Sequence, residues 1–225
     1  MARFLDFIFG ILKWPVALLM LVSLPSLIEI LGHFQFNNPR FFAFLMGAVA
    51  YIVLKVMAAA RTNMSMLILA HELTHIFFAL LTFHKVVHIH LNIDESGGAM
   101  GFKGKGNWLI VVGPYFFPLF LFFLMLGITY WHKSLDGNLW VNGFLGYFFM
   151  YHLESMAIQI HSEQPDFKEV GFPFCWMFLP GANIFICSVI LAFNTGGWAY
   201  VQRYLLVFCK LNLYYIEQVL GYFTS

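Results

Sequence analysis

The chain has 225 residues, of which 61% are hydrophobic and only 10% are charged. Soluble domains carry about 25% charged residues, so this composition excludes an ordinary water-soluble domain, and it equally excludes a disordered chain. The net charge of +1 provides no basic surface for nucleic acid, and three widely spaced cysteines form neither a disulfide framework nor a CxxC metal site. The composition therefore predicts a multi-pass membrane protein, which we expect in the cell membrane.

Long apolar stretches predict an all-α polytopic protein with about six transmembrane helices in one membrane-embedded domain, residues 1–225. A helix that spans a bilayer needs about 20 mostly apolar residues. The predicted spans are 14–31, 41–60, 64–83, 108–131, 139–160 and 172–193. Residues 14–60 are the N-terminal spans, and residues 64–193 are the core of the domain. The tail, residues 198–225, contains charged residues that favour an interfacial amphipathic helix or a weak seventh span.

The segment 84–107 departs from the helical pattern. Apolar and polar residues alternate over 86–94, a period of two that is typical of a strand, and several glycines follow. This pattern predicts a small β-hairpin after the third span. Because a lipid-exposed edge would leave backbone groups unsatisfied, the hairpin must lie at the interface, line a cavity or pair with an extended substrate. We expect His84, His88 and His90 on a solvated face of the hairpin, with an auxiliary metal site as the alternative.

The third span contains the sequence His71-Glu72-Leu73-Thr74-His75, which is an HExxH motif. Residues four apart lie on one face of a helix, so the two histidines can direct ring nitrogens at one Zn²⁺. Glu72 is then placed to act as a general base on a water at the metal. A glutamate within an apolar span costs about 2.5–3.5 kcal/mol on insertion scales, and a bound cation offsets that cost. The alternative is a polar pair that joins two helices.

Catalytic zinc usually has three protein ligands and a water, so a third ligand must come from another segment. Depth in the membrane favours His152 in the fifth span. Ligand chemistry favours Asp166, just before the sixth span, because a carboxylate offsets part of the metal charge. The residue types alone do not decide between His152 and Asp166 as the third ligand. His152 is also a candidate donor to the oxyanion that forms on an attacked carbonyl. We expect nearby Glu154 at a helix contact or a water cavity.

Two further features concern the surroundings of this motif. Glycine and prolines within 113–118 predict a break in the fourth span, which is tolerated where backbone lines a cavity. Asn107, Asn142 and Asn183 are candidate donors to substrate, but such residues are more often helix-packing amides.

The sequence resembles the M50-type intramembrane metalloproteases, the site-2 proteases and their M50B-like relatives. The resemblance covers roughly residues 64–183 and includes, after the HExxH motif, the sequences GPYFFP at 113–118 and QPD at 164–166. It implies an intramembrane protease in which Asp166, ahead of the last core span, is the third zinc ligand. The chain departs from the family in lacking the Asn-Pro-x-x-x-Asp-Gly signature and in having Phe83-His84 where a glycine pair often follows the motif helix.

The sequence therefore predicts a zinc metalloprotease that hydrolyses peptide bonds in or near transmembrane segments of membrane protein substrates. The expected site has Glu72 as the catalytic base and His71, His75 and Asp166 as metal ligands, with His152 as an alternative ligand or oxyanion stabiliser. The expected partners are the lipid bilayer, the substrate and a regulatory membrane partner. The alternative is a non-proteolytic membrane protein, either an inactive relative or a transporter-like bundle, although no inverted repeat of broken spans supports transport.

Overall fold

The structure, a computed structural model, describes residues 1–34, 36–57, 64–91, 98–131 and 138–224. These residues form an all-α protein with one small two-stranded sheet. In chain order its elements are α1 (Ala2–Val22), α2 (Leu24–Gly32), α3 (Pro39–Met57), α4 (Met64–Leu81), β1 (Val86–Leu91), β2 (Gly98–Phe102), α5 (Trp108–Val112), a 3₁₀ turn (Gly113–Tyr115), α6 (Leu119–Trp131), α7 (Leu139–Gln159), α8 (Pro165–Val170) and α9 (Phe172–Thr224).

Several long apolar helices indicate a multi-pass membrane protein. By length and apolarity, three helices of the described residues can cross a membrane, or four if one bent pair counts as a single span. The three helices are Ala2–Val22, Pro39–Met57 and Phe172–Tyr222. The bent pair consists of Trp108–Tyr115 and Leu119–Trp131, and Ser65–Leu81 is a shorter apolar helix. These criteria therefore support multiple spans but do not reach the expected six.

The N-terminal helices differ in position from the predicted first span, residues 14–31. Helix α1 already begins at Ala2 and continues through Pro15, and α2 begins at Leu24. The boundary falls at Ser23 because Pro25 lies in the first turn of α2. Proline lacks an amide hydrogen and is accommodated at the start of a helix, where that hydrogen has no partner in any case. The predicted span is therefore wrong in its bounds.

The predicted break in the fourth span is confirmed. Helix α5 has only five residues, and its axis makes an angle of 83° with that of α6 when the 3₁₀ turn is included. Pro114 lies in the 3₁₀ turn and Pro118 directly precedes α6. At the other end of α5, the side chain of Asn107 accepts a hydrogen bond from the backbone N–H of Ile110. The break turns the backbone of α5 and the side chain of Tyr115 toward α4.

Helices α3 and α7 pack closely because glycines meet the partner backbone. A Cβ added at Gly47 or Gly146 would overlap a backbone carbonyl of the other helix. Across the same pair, Glu154 accepts a hydrogen bond from the hydroxyl of Tyr51 and forms an ion pair with Lys55. Glu154 therefore lies at a helix contact, which is one of the two expected places for it.

Helix α9 is interrupted at Gly196 and Gly197. Gly197 has a φ of 67°, in the left-handed region that favours glycine, and helical geometry resumes beyond it. The tail that was predicted from residue 198 is therefore helical as far as Thr224. On the other side of the break, Phe193 is buried with Leu121 and Leu145 in an apolar cluster.

The predicted β-hairpin is present. Strands β1 and β2 pair antiparallel, with Val86 opposite Phe102 and Leu91 opposite Gly98, while the connecting residues 92–97 lie outside the described part of the chain. The preceding helix, α4, ends at Leu81, and two residues later Phe83 is left-handed, with a φ of 60°. Glycine is the usual residue in this conformation after a helix, because a Cβ is strained there.

Candidate metal centre

Three potential ligand atoms converge between α4 and α8. His71 and His75 lie one turn apart on α4, and their Nε2 atoms are 3.0 Å apart. The Oδ2 atom of Asp166, on α8, lies 3.4 Å from each of these nitrogens. All three side chains are largely buried. Of the residues that the structure describes, these form the one group of three such side chains close enough to share a metal ion.

The hydrogen bonds of the two histidines determine which ring nitrogens face this point. Nδ1 of His75 lies 2.8 Å from the backbone oxygen of Ile110, and Nδ1 of His71 lies 2.6 Å from Oε1 of Gln159. Because both partners are acceptors, each Nδ1 carries the hydrogen and each Nε2 presents a lone pair. With Asp166, three lone-pair donors converge with no hydrogen between them. This arrangement is repulsive without a cation, and a metal-bound histidine usually donates its other ring N–H to an oxygen acceptor in this way.

The spacing of the donor atoms fits a tetrahedral ion. Zinc with ligand bonds of 2.0–2.1 Å separates its ligand atoms by about 3.3–3.4 Å, and two histidines with one carboxylate are a known catalytic zinc donor set. Two of the observed separations are 3.4 Å and the third is 3.0 Å. The residues present therefore fit zinc with a fourth position left for water.

Asp166 is held in its ionised form. Burial raises the pKa of its carboxyl group, but in the absence of a metal, when the two imidazoles are protonated on Nε2 as well, their N–H groups and positive charge lower it by more. The hydroxyl of Tyr115 donates a further hydrogen bond, 2.8 Å long, to Oδ2. The resulting pKa lies well below the usual range of aspartate, so the group is a carboxylate at neutral pH.

Glu72 directly follows His71 in α4 but is outside the group of three. Glu72 is only 5% exposed, and its carboxylate interacts electrostatically with His75, His71 and Asp166. The described residues offer this carboxylate no hydrogen-bond donor. Without a protein donor, the carboxylate is available to a water or a substrate at the centre.

Two residues next to the centre were not predicted to have a role. Gln159 keeps its Oε1 toward His71 because its amide nitrogen donates to Ser155, 2.9 Å away. Tyr115 is fully buried, donates to Asp166, and places its ring edge-on to that of His71 at 5.2 Å. The only sequence signals were the GPYFFP motif that contains Tyr115 and a polar residue near the end of an apolar span at Gln159.

The N-terminal helix α1 supports two of the elements that build the centre. Asp6 accepts a 3.0 Å hydrogen bond from Nδ2 of Asn107, the residue that caps α5. Lys13 donates a 2.6 Å hydrogen bond to the carbonyl of Val170, at the end of α8. Helix α5 carries the Ile110 carbonyl that orients a histidine, and α8 carries the aspartate. Helix α1 is thus in direct contact with both supports.

The histidines that follow α4 do not all behave as expected. His84 is only 2% exposed, and it contacts Asp6 at 3.2 Å and Thr82 at 3.0 Å. Its expected solvated position is wrong because α1 covers it and supplies a carboxylate partner. His88 is exposed, as expected, and the side chain of His90 lies outside the described part of the chain.

His152 is close to the centre but is not part of the group of three. It is 6% exposed and lines a cavity of about 30 Å³ together with His71, Ser155 and Gln159. Its Nε2 atom is buried and has no hydrogen-bond partner among the residues that the structure describes. A cavity of this volume holds about one water. His152 therefore combines an unpartnered buried nitrogen with a place beside a water-sized cavity.

The three asparagines have structural hydrogen bonds. Asn107 caps α5, and Nδ2 of Asn142 donates to the carbonyl of Asn138 in the same helix. Nδ2 of Asn183 donates to the carbonyl of Tyr115, 3.1 Å away. The expectation that these amides act in packing rather than as substrate donors agrees with these contacts.

A comparison with known proteins identifies the family of the chain. A family model described as peptidase M50B-like matches residues 43–157, half of the chain. The match begins in α3, further toward the N-terminus than the resemblance from residue 64, and it contains His71, Glu72 and His75 but not Asp166. Neither a curated protein nor a solved structure matches the chain. The motif helix and the family match together show that the chain belongs to the M50B-like peptidase family.

Proposed function

We propose that the protein is a zinc-dependent intramembrane endopeptidase that hydrolyses peptide bonds in or near transmembrane segments of other membrane proteins. The convergence of three lone-pair donors beside the buried carboxylate of Glu72 carries this proposal. Membership of a peptidase family supports the reaction class. In this proposal α4 and α7 also cross the membrane, which raises the number of spans to six, and the membrane is the cell membrane.

The proposed roles follow from the contacts. His71, His75 and Asp166 hold the metal, and Glu72 takes a proton from water on its carboxylate oxygen and delivers it to the leaving amine. When bound, zinc acidifies a water molecule and polarises the scissile carbonyl. Gln159 holds the imidazole of His71 with Nε2 toward the metal, and the Ile110 carbonyl does the same for His75.

His152 supplies a donor to the developing oxyanion in this mechanism. The support is its buried Nε2 atom, which has no partner within the described residues, and the cavity that His152 lines together with His71. A donor in such a buried site stabilises a developing negative charge strongly. The opposite assignment, His152 as third ligand, has less support because Asp166 already occupies that position in the group.

The hairpin is the proposed substrate-holding element. A transmembrane helix must unwind before its carbonyl can be attacked, because its backbone groups are bonded within the helix. In the described chain, β1 and β2 form a sheet of only two strands next to α4, so an unwound segment can pair with an outer edge. Choice among substrates then rests on the spans, the hairpin or a separate regulatory membrane partner.

A pair of variants tests the proposal. Purified Glu72→Gln protein should keep about one zinc per chain and lose at least about 100-fold in cleavage of a single-span reporter, because only the general base is removed. His71→Ala should lose the metal as well. Glu217→Gln, an exposed site on α9, is the matched control and should be unaffected.

Two results would contradict the proposal. Full cleavage by Glu72→Gln protein would refute the role of the carboxylate as base. Failure of the wild-type protein to retain zinc after reconstitution would favour the alternative of a non-proteolytic relative that uses the polar cluster for binding.

A further inference from the structure

A chain of hydrogen bonds runs from the N-terminal helix α1 to the metal centre. Nδ2 of Asn107 donates to Oδ1 of Asp6 in α1, 3.0 Å away. Oδ1 of Asn107 in turn accepts a 3.4 Å hydrogen bond from the backbone N–H of Ile110. The backbone oxygen of Ile110 lies 2.8 Å from Nδ1 of His75. Only Asn107 and Ile110 therefore separate Asp6 from a proposed metal ligand, although α1 lies outside the residues that the family model matches.

Helix α5, in the middle of this chain of hydrogen bonds, is too short to hold its own position. It has five residues, whereas isolated helices shorter than about 12–15 residues are marginal even when their sequences favour helix. The Ile110 carbonyl can therefore orient an imidazole only if contacts outside α5 fix the helix. Asn107 caps its first turn, and the indole N–H of Trp108 donates a 2.7 Å hydrogen bond to the carbonyl of Phe9 in α1. The start of α5 is thus fixed against α1.

The carboxylate of Asp6 is itself held in one orientation. Its Oδ2 atom lies 3.2 Å from Nε2 of His84, whose side chain is fully buried, while Oδ1 accepts the hydrogen bond from Asn107. Because a carboxylate only accepts hydrogen bonds, Nε2 of His84 is the donor in this contact. The side chain of Asp6 is only 15% exposed and belongs to an apolar helix that is long enough to cross a membrane. Ionisable residues are costly in such a helix, and they often mark functional sites.

The docking of α1 does not by itself require an acidic residue at this position. Lys13 donates a 2.6 Å hydrogen bond to the carbonyl of Val170, at the end of α8. Apolar residues of α1, among them Phe9 and Ala17, pack into a buried apolar cluster. These contacts hold the helix in place, but they supply no acceptor for the amide of Asn107. The acidic residue is therefore explained by the orientation of that amide rather than by the attachment of α1.

We propose that Asp6 is a positioning residue of the metal centre. Through Asn107 it fixes the Ile110 carbonyl, which keeps Nε2 of His75 facing Asp166. The other histidine of the motif is oriented separately, by a glutamine of α7, so Asp6 acts on His75 alone. The inference rests on the proposed function, because it requires that the centre holds a metal.

The zinc affinity of the full-length purified protein, measured by competition with a chromophoric chelator at fixed pH, tests this inference. Asp6→Leu removes the acceptor and should weaken zinc binding about tenfold, at the lower end of the range for an outer partner of a ligand, because Asp6 acts through two residues. Asp6→Asn keeps an oxygen for Asn107 and should stay within about threefold of the wild type. Arg3→Gln, at an exposed position of the same helix, controls for the loss of a charge and should leave zinc affinity unchanged.

A second variant tests the route by which Asp6 acts. Asn107→Ser keeps a side-chain oxygen that caps α5 but loses the amide that donates to Asp6. In that background Asp6→Leu should weaken zinc binding by less than about twofold more, because the chain of hydrogen bonds is already broken. In zinc-loaded Asp6→Leu protein with ¹⁵N-labelled histidine, the Nδ1–H resonance of His75 should shift. That of His71 should not shift, since its acceptor is Gln159.

Four results would overturn the inference. Wild-type zinc affinity in Asp6→Leu protein would show that the Ile110 carbonyl is held without this chain of hydrogen bonds. Equal losses in Asp6→Asn and Asp6→Leu protein would show that the charge of Asp6 matters and not its acceptor. A further loss of about tenfold from Asp6→Leu in the Asn107→Ser background, or an unshifted His75 resonance, would show that Asp6 acts by another route. A wild-type protein that retains no zinc would instead refute the proposed function, so the two failures are distinguishable.

Discussion

The hydrogen bond between His71 and Gln159 offers a direct test of how the metal centre is built. Gln159→Leu removes the acceptor that lies 2.6 Å from Nδ1 of His71 and keeps a side chain of similar size. Without this acceptor, the imidazole can rotate or carry its hydrogen on Nε2, the atom that faces Asp166. Either change removes a lone pair from the group of three.

The expected loss of zinc affinity is large because water replaces the acceptor only in part. The side chain of His71 is 14% exposed, so most of the lost hydrogen bond is not recovered. Loss of an outer partner of a metal ligand typically costs about 10–100-fold in affinity, or about 1.4–2.7 kcal/mol. We expect Gln159→Leu to lie in the upper part of that range.

Competition with a chromophoric chelator at fixed pH measures this change. Gln159→Glu keeps an acceptor at the same place and should bind zinc at least as tightly as the wild type. Gln218→Leu, an exposed site on α9, controls for the loss of a glutamine. Wild-type zinc affinity in Gln159→Leu protein would show that the orientation of His71 does not depend on this hydrogen bond, and it would refute the argument for converging lone pairs.

Three further predictions concern packing and support. Gly146→Ala should lower the free energy of unfolding in detergent by about 1–3 kcal/mol or more, because the added Cβ overlaps the backbone of α3. Gly143→Ala is the control, since its Cβ comes no closer than 3.6 Å to its nearest neighbour, and it should change this free energy by less than about 0.5 kcal/mol. Equal effects would contradict the packing argument. Tyr115→Phe should weaken zinc binding about tenfold by removing a hydrogen bond to Asp166, and slower cleavage at unchanged zinc affinity would contradict that supporting role. Phe83→Gly should stabilise the protein by about 1 kcal/mol through relief of its left-handed conformation, and a lower midpoint of thermal unfolding would contradict this.

Local features of the sequence were sufficient for the class of fold and for the core of the candidate site. The spacing of His71 and His75 places both on one face of α4 by helical periodicity alone. Pro118 and the glycine-proline pair before it sufficed to predict the break between α5 and α6, because proline within a helix removes a backbone hydrogen bond. Each of these inferences depends on residues that are near one another in the chain.

Contacts between distant segments could not be predicted from such local features. His152 and Asp166 were both reasonable partners for the motif, and only the position of α8, which packs against α5 and α9, brings one of them to 3.4 Å from both histidines. The burial of His84 and its contact with Asp6 required the position of α1, about which the pattern of the hairpin carries no information.

The sequence by itself therefore determined that the protein lies in a membrane, that its third apolar segment carries an HExxH motif and that a hairpin follows. The tertiary structure decided which carboxylate joins the two histidines and which groups orient them. The physical reason is that periodicity and residue type report the local backbone and the side of a helix that avoids water. Which remote side chain covers that side is determined by the packing of all helices together.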